Sequence, residues 1–234
     1  MQQICSKPKF RKMFFRISRT FPVILVLITC LFAGGGLSGA AAEPMTGNPA
    51  WYTGTIWHQL DSGVNGGSVM VIVRSGTDYY VGGSFTDVGG ETDGAYLARW
   101  DGSTWHAVGA GITNTVRAIA IHDGNIFVGG QFNDISGDSN MNHIAYWSNA
   151  TDTWNALGTG LDGIVYDMVF SGDDLYVGGS FTGIDPSVDD DNIAMWNATD
   201  GWISIGGDLD NTVQSLATAA GQLFVGGSFL DNSS

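Results

Sequence analysis

The segment Val-Gly-Gly-(Ser/Gln)-Phe occurs four times, at Val81–Phe85, Val128–Phe132, Val177–Phe181 and Val225–Phe229. Successive valines are 47, 49 and 48 residues apart. A fixed period of that size restricts the chain to a repeat architecture, in which one supersecondary unit buries its apolar face only against its neighbours.

Alignment on the glycine pair brings further residues into register. Trp51, Trp100, Trp147 and Trp196 recur, as do Trp57, Trp105, Trp154 and Trp202. A hydrophobic run opens each unit at Val69, Val116, Val165 or Val213. One unit reads as four short strands. The first is Thr115–Ile121, rich in β-branched residues. His122-Asp123-Gly124-Asn125 is a tight turn into the second, Ile126–Phe132. A longer polar loop leads to His143–Ser148, and Asn149–Asp152 turns into Thr153–Leu157.

Four antiparallel strands in each unit of about 48 residues predict an all-β fold, a β-propeller. Its blades span 68–108, 115–158 and 164–206, flanked by half blades at 50–61 and 212–230. The two halves are complementary, so the ring either closes as four blades or belongs to a larger propeller. The structural positions expected to hold the repeat are Gly82, Gly83, Phe85, Trp105, Gly129, Gly130, Phe132, Trp154, Gly178, Gly179, Phe181, Trp202, Gly226, Gly227 and Phe229. The glycines either let neighbouring backbones approach or adopt φ values that a side chain forbids. The aromatics fill space between blades.

Leu175–Phe181, Asn192–Trp196 and Trp202–Gly206 carry a resemblance. A strand ending in Gly-Gly, an aromatic, and two spaced tryptophans resemble the kelch-like, galactose-oxidase-central-domain-like repeats. They are most similar to the secreted repeats of the fungal cortical cell-polarity marker family. The resemblance covers nearly all of 48–230. It implies a kelch-like propeller and leaves function open, since such propellers include structural, binding and enzymatic members.

Residues 1–42 stand apart. Six basic residues between Lys7 and Arg19 precede an apolar run from Phe21 to Ala33, shorter than the ~20 residues of a bilayer span. Ala40-Ala41-Ala42 then suits signal peptidase, so 1–42 reads as a secretory signal. The product is expected to be extracellular, periplasmic or at the cell surface. Membrane attachment would need an uncleaved signal or a downstream anchor. Beyond the signal, three arginines face 23 acids, a formal charge of −20, which repels phosphate backbones and argues against nucleic acid binding. Cys5 and Cys30 both lie in the signal, so no disulfide framework is expected downstream.

Sorted by strand order, fourteen acids fall at the end carrying the long loops and seven at the end carrying the tight turns. The loop Asp185-Pro-Ser-Val-Asp189-Asp190-Asp191 clusters hard oxygen ligands of the kind Ca²⁺ prefers, and is the candidate metal site. Asp134, Asp138 and Asn140 are a thinner version. His58, His106, His122 and His143 show no ligand spacing. The resemblance to galactose oxidase therefore brings no copper ligand set with it. Asp101-Gly-Ser-Thr-Trp105 is similar to the sialidase Asp box but one residue short, and its role there is structural.

The residue after the opening valine is Met70, Arg117, Tyr166 or Gln214, varied inside an otherwise regular repeat. Three sequons, at Asn149, Asn197 and Asn232, fit N-glycosylation. The composite expectation is a non-catalytic, exported binding propeller for a protein or glycan partner, with no cofactor beyond Ca²⁺. An extracellular hydrolase or oxidase, or a structural repeat of a larger surface adhesin, are the alternatives.

Overall fold

A computed structural model describes residues 50–52, 57–59, 63–90, 92–182, 192–205 and 209–229. The signal segment, the Asp185–Asp191 cluster and Asn232 lie outside the described residues.

Val69–Ser75 alternates half-buried and exposed positions, whereas Ile126–Gly130 is buried throughout. β1 (Ala50–Tyr52) pairs with β2 (Trp57–Gln59), and β3 (Val64–Asn65) precedes the first blade. That blade comprises β4 (Val69–Ser75), β5 (Asp78–Gly83), β7 (Leu97–Trp100) and β8 (Trp105–Ala107), with β6 (Asp87–Val88) in its loop. The second is β9 (Val116–His122), β10 (Asn125–Gly130), β11 (Ile144–Ser148) and β12 (Thr153–Ala156). The third is β13 (Ile164–Ser171), β14 (Asp174–Ser180), β15 (Ile193–Asn197) and β16 (Gly201–Ile203). β17 (Val213–Ala219) and β18 (Gln222–Gly227) form a half blade. Two short 3₁₀ turns, Thr92–Gly94 and Ser139–Met141, are the only helical elements among the described residues.

All pairings within the blades are antiparallel. The molecule is all-β, as the period requires. Among the described residues β1–β2 and β17–β18 are separate two-stranded sheets, and the pairing that would close a four-bladed ring is not made.

The inner strands β4, β9, β13 and β17 lie side by side in that order. The core therefore sits between blades. Leu97, Ile119, Ile126 and Phe132 are buried between the first and second blades; Phe127, Leu157, Met168 and Phe181 lie between the second and third. Each glycine of a pair has its own reason. A methyl group at Gly82 would lie 2.7 Å from Val116 Cγ1 of the next blade, and one at Gly129 would lie 2.9 Å from Val165 Cβ. The second glycines, Gly83, Gly130, Gly179 and Gly227, instead admit the carbonyl oxygens of Ser68, Thr115, Ile164 and Thr212 from their own inner strand. None of the paired glycines adopts positive φ, so close approach is the requirement at all of them but Gly226, where only the Ser215 carbonyl comes near, at 3.8 Å.

A second device repeats without repeating its residue. Tyr96, His143 and Asn192 adopt left-handed φ values of 65°, 61° and 69° just before the third strand of each blade. Their amides donate to the carbonyls of Phe85, Phe132 and Phe181, at 3.0, 2.9 and 2.9 Å. Their own carbonyls accept from Gly83, Gly130 and Gly179, at 3.0, 2.9 and 2.9 Å. The hairpin pins the glycine motif against the loop that follows it.

Candidate functional site

Between the second and third blades, at the end that carries the tight turns, lies a cavity of about 670 Å³. Its floor is aromatic. Phe127 of β10 stacks on Tyr146 of β11 with centroids 5.0 Å apart, and meets Phe170 of β13 edge-on at 5.0 Å. Trp196 of β15 stands 6.1 Å from Phe127. Phe127 is buried, while Tyr146, Phe170 and Trp196 are half-buried and present surface to the cavity.

The rim is acidic, built by the turns β9–β10, β13–β14 and β15–β16. Asp123, Asp173, Asp174 and Asp200 line it. His122 Nε2 is 3.2 Å from Asp173 Oδ1 and 3.5 Å from Asp123 Oδ2, and its ring stacks on Phe170 at 4.4 Å. Asn197 Nδ2 donates to Asp174 Oδ1 at 3.1 Å, while its Oδ1 accepts from the Thr199 and Asp200 amides. The sequon at Asn197 is therefore also a turn that ties two blade strands together. Asn149 does the same work in the preceding blade, donating to the Gly124 carbonyl at 2.7 Å.

A counterpart lies between the first and second blades, with a volume of about 310 Å³. Tyr80, Trp147, Asn149 and Asp152 hold the positions of Phe127, Trp196, Asn197 and Asp200 there. Arg99 stands where Tyr146 stands, and bonds Asp78 at 2.7 Å. One repeat thus lines its smaller hollow with a cation paired to Asp78, while the next lines a larger one with aromatics and four aspartates.

Acids on the long-loop end have a different use among the described residues. Asp87 Oδ1 accepts from Asn65 Nδ2 at 2.9 Å and from the Gly90 amide at 3.2 Å. Asp134 accepts from the Gly137 amide at 3.0 Å, and Asp138 from that of Asn140 at 2.9 Å. Asp162 accepts from the Thr182 amide at 2.9 Å and also bonds its hydroxyl. These carboxylates satisfy loop amides. Among the described residues no group of three His, Cys, Asp or Glu is placed to hold a metal ion.

Asp101 organises the β7–β8 turn. Its carboxylate takes the His106 Nε2 hydrogen bond at 2.7 Å, the Ser103 and Thr104 amides at 2.8 Å each, and the Ser103 hydroxyl at 2.8 Å. The His106 bond first, then the Thr104 and Ser103 bonds, hold its pKa far below the usual carboxylate range. His143 Nδ1 donates to the Gly130 carbonyl at 3.1 Å, a structural contact.

The variable positions Met70, Arg117, Tyr166 and Gln214 share a backbone feature. Each is the extra residue of a β-bulge against the glycine pair of the adjoining strand. The Arg117 guanidinium lies 5.2 Å over the Tyr166 ring, a cation–π contact between neighbouring blades. The motif phenylalanines Phe85, Phe132 and Phe181 are fully buried. Trp154 and Trp202 donate from Nε1 to Ala110 and Leu157 carbonyls of the preceding connection, at 3.1 and 2.8 Å. The side chains of Trp51, Trp57 and His58 lie outside the described residues.

His122, Tyr146, Phe170, Asp173 and Trp196 converge on the larger cavity, and sequence reading had placed none of them in a site. His122 and Asp173 read as turn residues, and Trp196 as one of the recurring packing tryptophans. The available signal was the departure from the repeat: Tyr146 where the first blade has Arg99, and His122 where it has Ser75.

Three four-stranded antiparallel blades with interblade cores define a β-propeller. The chain belongs to the Rax2 C-terminal beta propeller domain family, whose model matches residues 110–233, just over half of its length. No curated protein matches the chain. Among solved structures it is similar to the computationally designed Ika8 protein at 14% identity and a TM-score of 0.45, over 72% of this chain and 46% of that one. It thus spans less than half of that structure's length.

Proposed function

We propose that the chain is an exported, non-catalytic binding propeller whose cavity between the second and third blades takes a basic segment of a partner protein. The observation that carries this reading is the contrast between the two equivalent hollows. Where Arg99 lines the smaller first, the larger second offers Phe170, Tyr146 and Trp196 beneath Asp123, Asp173 and Asp200. An aromatic floor under carboxylates suits a lysine or arginine, whose stem packs on rings while its charge meets the rim. Membership of a propeller family and the likeness to secreted cell-polarity repeats support a binding role over a catalytic one. The basic leader at 1–42 supports export.

Calorimetric titration tests the reading, with arginine- and lysine-bearing peptides in one arm and neutral oligosaccharides in the other. Peptide binding that weakens at least tenfold in Trp196→Ala and in Asp173→Asn is expected, together with weakening as salt rises. Heat from an oligosaccharide alone would assign a glycan partner instead. Silence in both arms would overturn the site.

A further inference from the structure

The interface between blades is repeated, and its copies show what the two outermost sheets are shaped to receive. A methyl group at Gly82 would meet Val116 Cγ1 at 2.7 Å and Ile119 Cδ1 at 3.1 Å. At Gly129 the same places are taken by Val165 and Met168, and at Gly178 by Val213 and Leu216. A glycine makes the hollow; a valine and a longer aliphatic three residues on fill it.

Each outermost sheet holds one half of this interface. β18 supplies the hollow, for only the Ser215 carbonyl oxygen, at 3.8 Å, comes near a methyl group built at Gly226. Phe224 is 53% exposed there, whereas Tyr80 and Phe127 at the same repeat position are 7% and 4% exposed. β4 supplies the filler, Val69 and Ile72. Ile72 is 52% exposed, against 5%, 5% and 8% for its counterparts Ile119, Met168 and Leu216.

From this geometry we infer that two copies of the chain join reciprocally, Val69 of each seated at Gly226 of the other. The occupant is a second copy because the filler it brings is the pattern that this hollow takes three times within one chain. Strand order agrees. β17–β18 are the first two strands of a blade, and β1–β2 lie just ahead of β4 in the order of a blade's last two. Pairing of β1 of one copy with β18 of the other would complete a four-stranded blade. The register of the complete blades, Ile126↔Trp147 and Leu175↔Trp196, then sets Leu223 opposite Trp51. Twofold symmetry then makes the contact reciprocal between the two copies rather than an open filament. The inference rests on the blade interface and is independent of the ligand cavity.

Sedimentation equilibrium of the purified protein at micromolar concentration tests it. A two-chain mass is expected, falling to one chain in Ile72→Asp and in Gly226→Trp while circular dichroism keeps the β spectrum. A second arm uses variants with Cys5 and Cys30 replaced by serine. Mixed Val69→Cys and Gly226→Cys chains should oxidise to a linked pair, which neither forms alone. Three results would overturn the proposal: a one-chain mass for the parent at every concentration, a two-chain mass that survives both substitutions, or a one-chain crosslink in the double cysteine variant.

Discussion

The Leu216 amide donates a 2.7 Å hydrogen bond to Asp167 Oδ2, tying the third blade to the half blade beyond it. The other carboxylate oxygen takes the Met168 amide at 2.9 Å. Asp167 stands on an inner strand beside the Tyr166 bulge and gives an edge amide its partner. Asp167→Ala should lower unfolding free energy by about 1–3 kcal/mol, the cost of leaving that amide unpaired. Asp167→Asn, which keeps an acceptor, should lose less. Urea denaturation separates the two, and equal losses would count against the bond.

Gly178 is a packing position of a different kind. A methyl group there would lie 3.1 Å from Val213 Cβ and 3.3 Å from Leu216 Cγ. Gly178→Ala should therefore overpack the interface, at a cost of about 1–3 kcal/mol. A denaturation midpoint equal to the parent's would show that the blades separate easily.

Ala220 carries strain that the repeat does not need. It adopts φ 52° in the β17–β18 turn, followed by Gly221 at φ 74°. Two positive φ values define the turn that favours Asn-Gly or Gly-Gly. Ala220→Gly is expected to raise stability by roughly 0.5–1 kcal/mol, since left-handed backbone is costly for a residue with a Cβ. A fall in melting temperature would contradict it.

Acid sensitivity should report on Asp101. Its pKa is lowered on folding, chiefly by the His106 hydrogen bond, so the unfolded chain binds its proton first as pH falls. The stability it contributes is complete above the unfolded carboxylate value of about 4 and is lost below it. Asp101→Asn should flatten the fall in melting temperature below that pH. An unchanged acid limb would show that other carboxylates set it.

Export makes a prediction at the N-terminus. Expression in a secreting host should yield a chain that begins at Glu43, read by N-terminal sequencing. Recovery of the uncleaved leader in the membrane fraction would replace secretion with anchoring.

Much of the blade was legible in advance. Strand order and the hairpin at Asp123-Gly124 follow from alternation, turn residues and period. The left-handed residues Tyr96, His143 and Asn192 were invisible because three different side chains fill one backbone position. Asp167 was passed over for a similar reason: it occurs once, and the residue it serves lies 49 positions further on.

The sequence by itself determined the unit, its strands and its turns, because those depend on residues close along the chain. Tertiary structure alone decided which hollow between blades is lined by Arg99 and which by Asp173 and Trp196. It also decided that Gly82 serves the next blade while Gly83 serves its own. The Gly82 contact and the larger cavity depend on side chains roughly one repeat apart that meet only when blades stack, and no local pattern records which of them will fill the shared space.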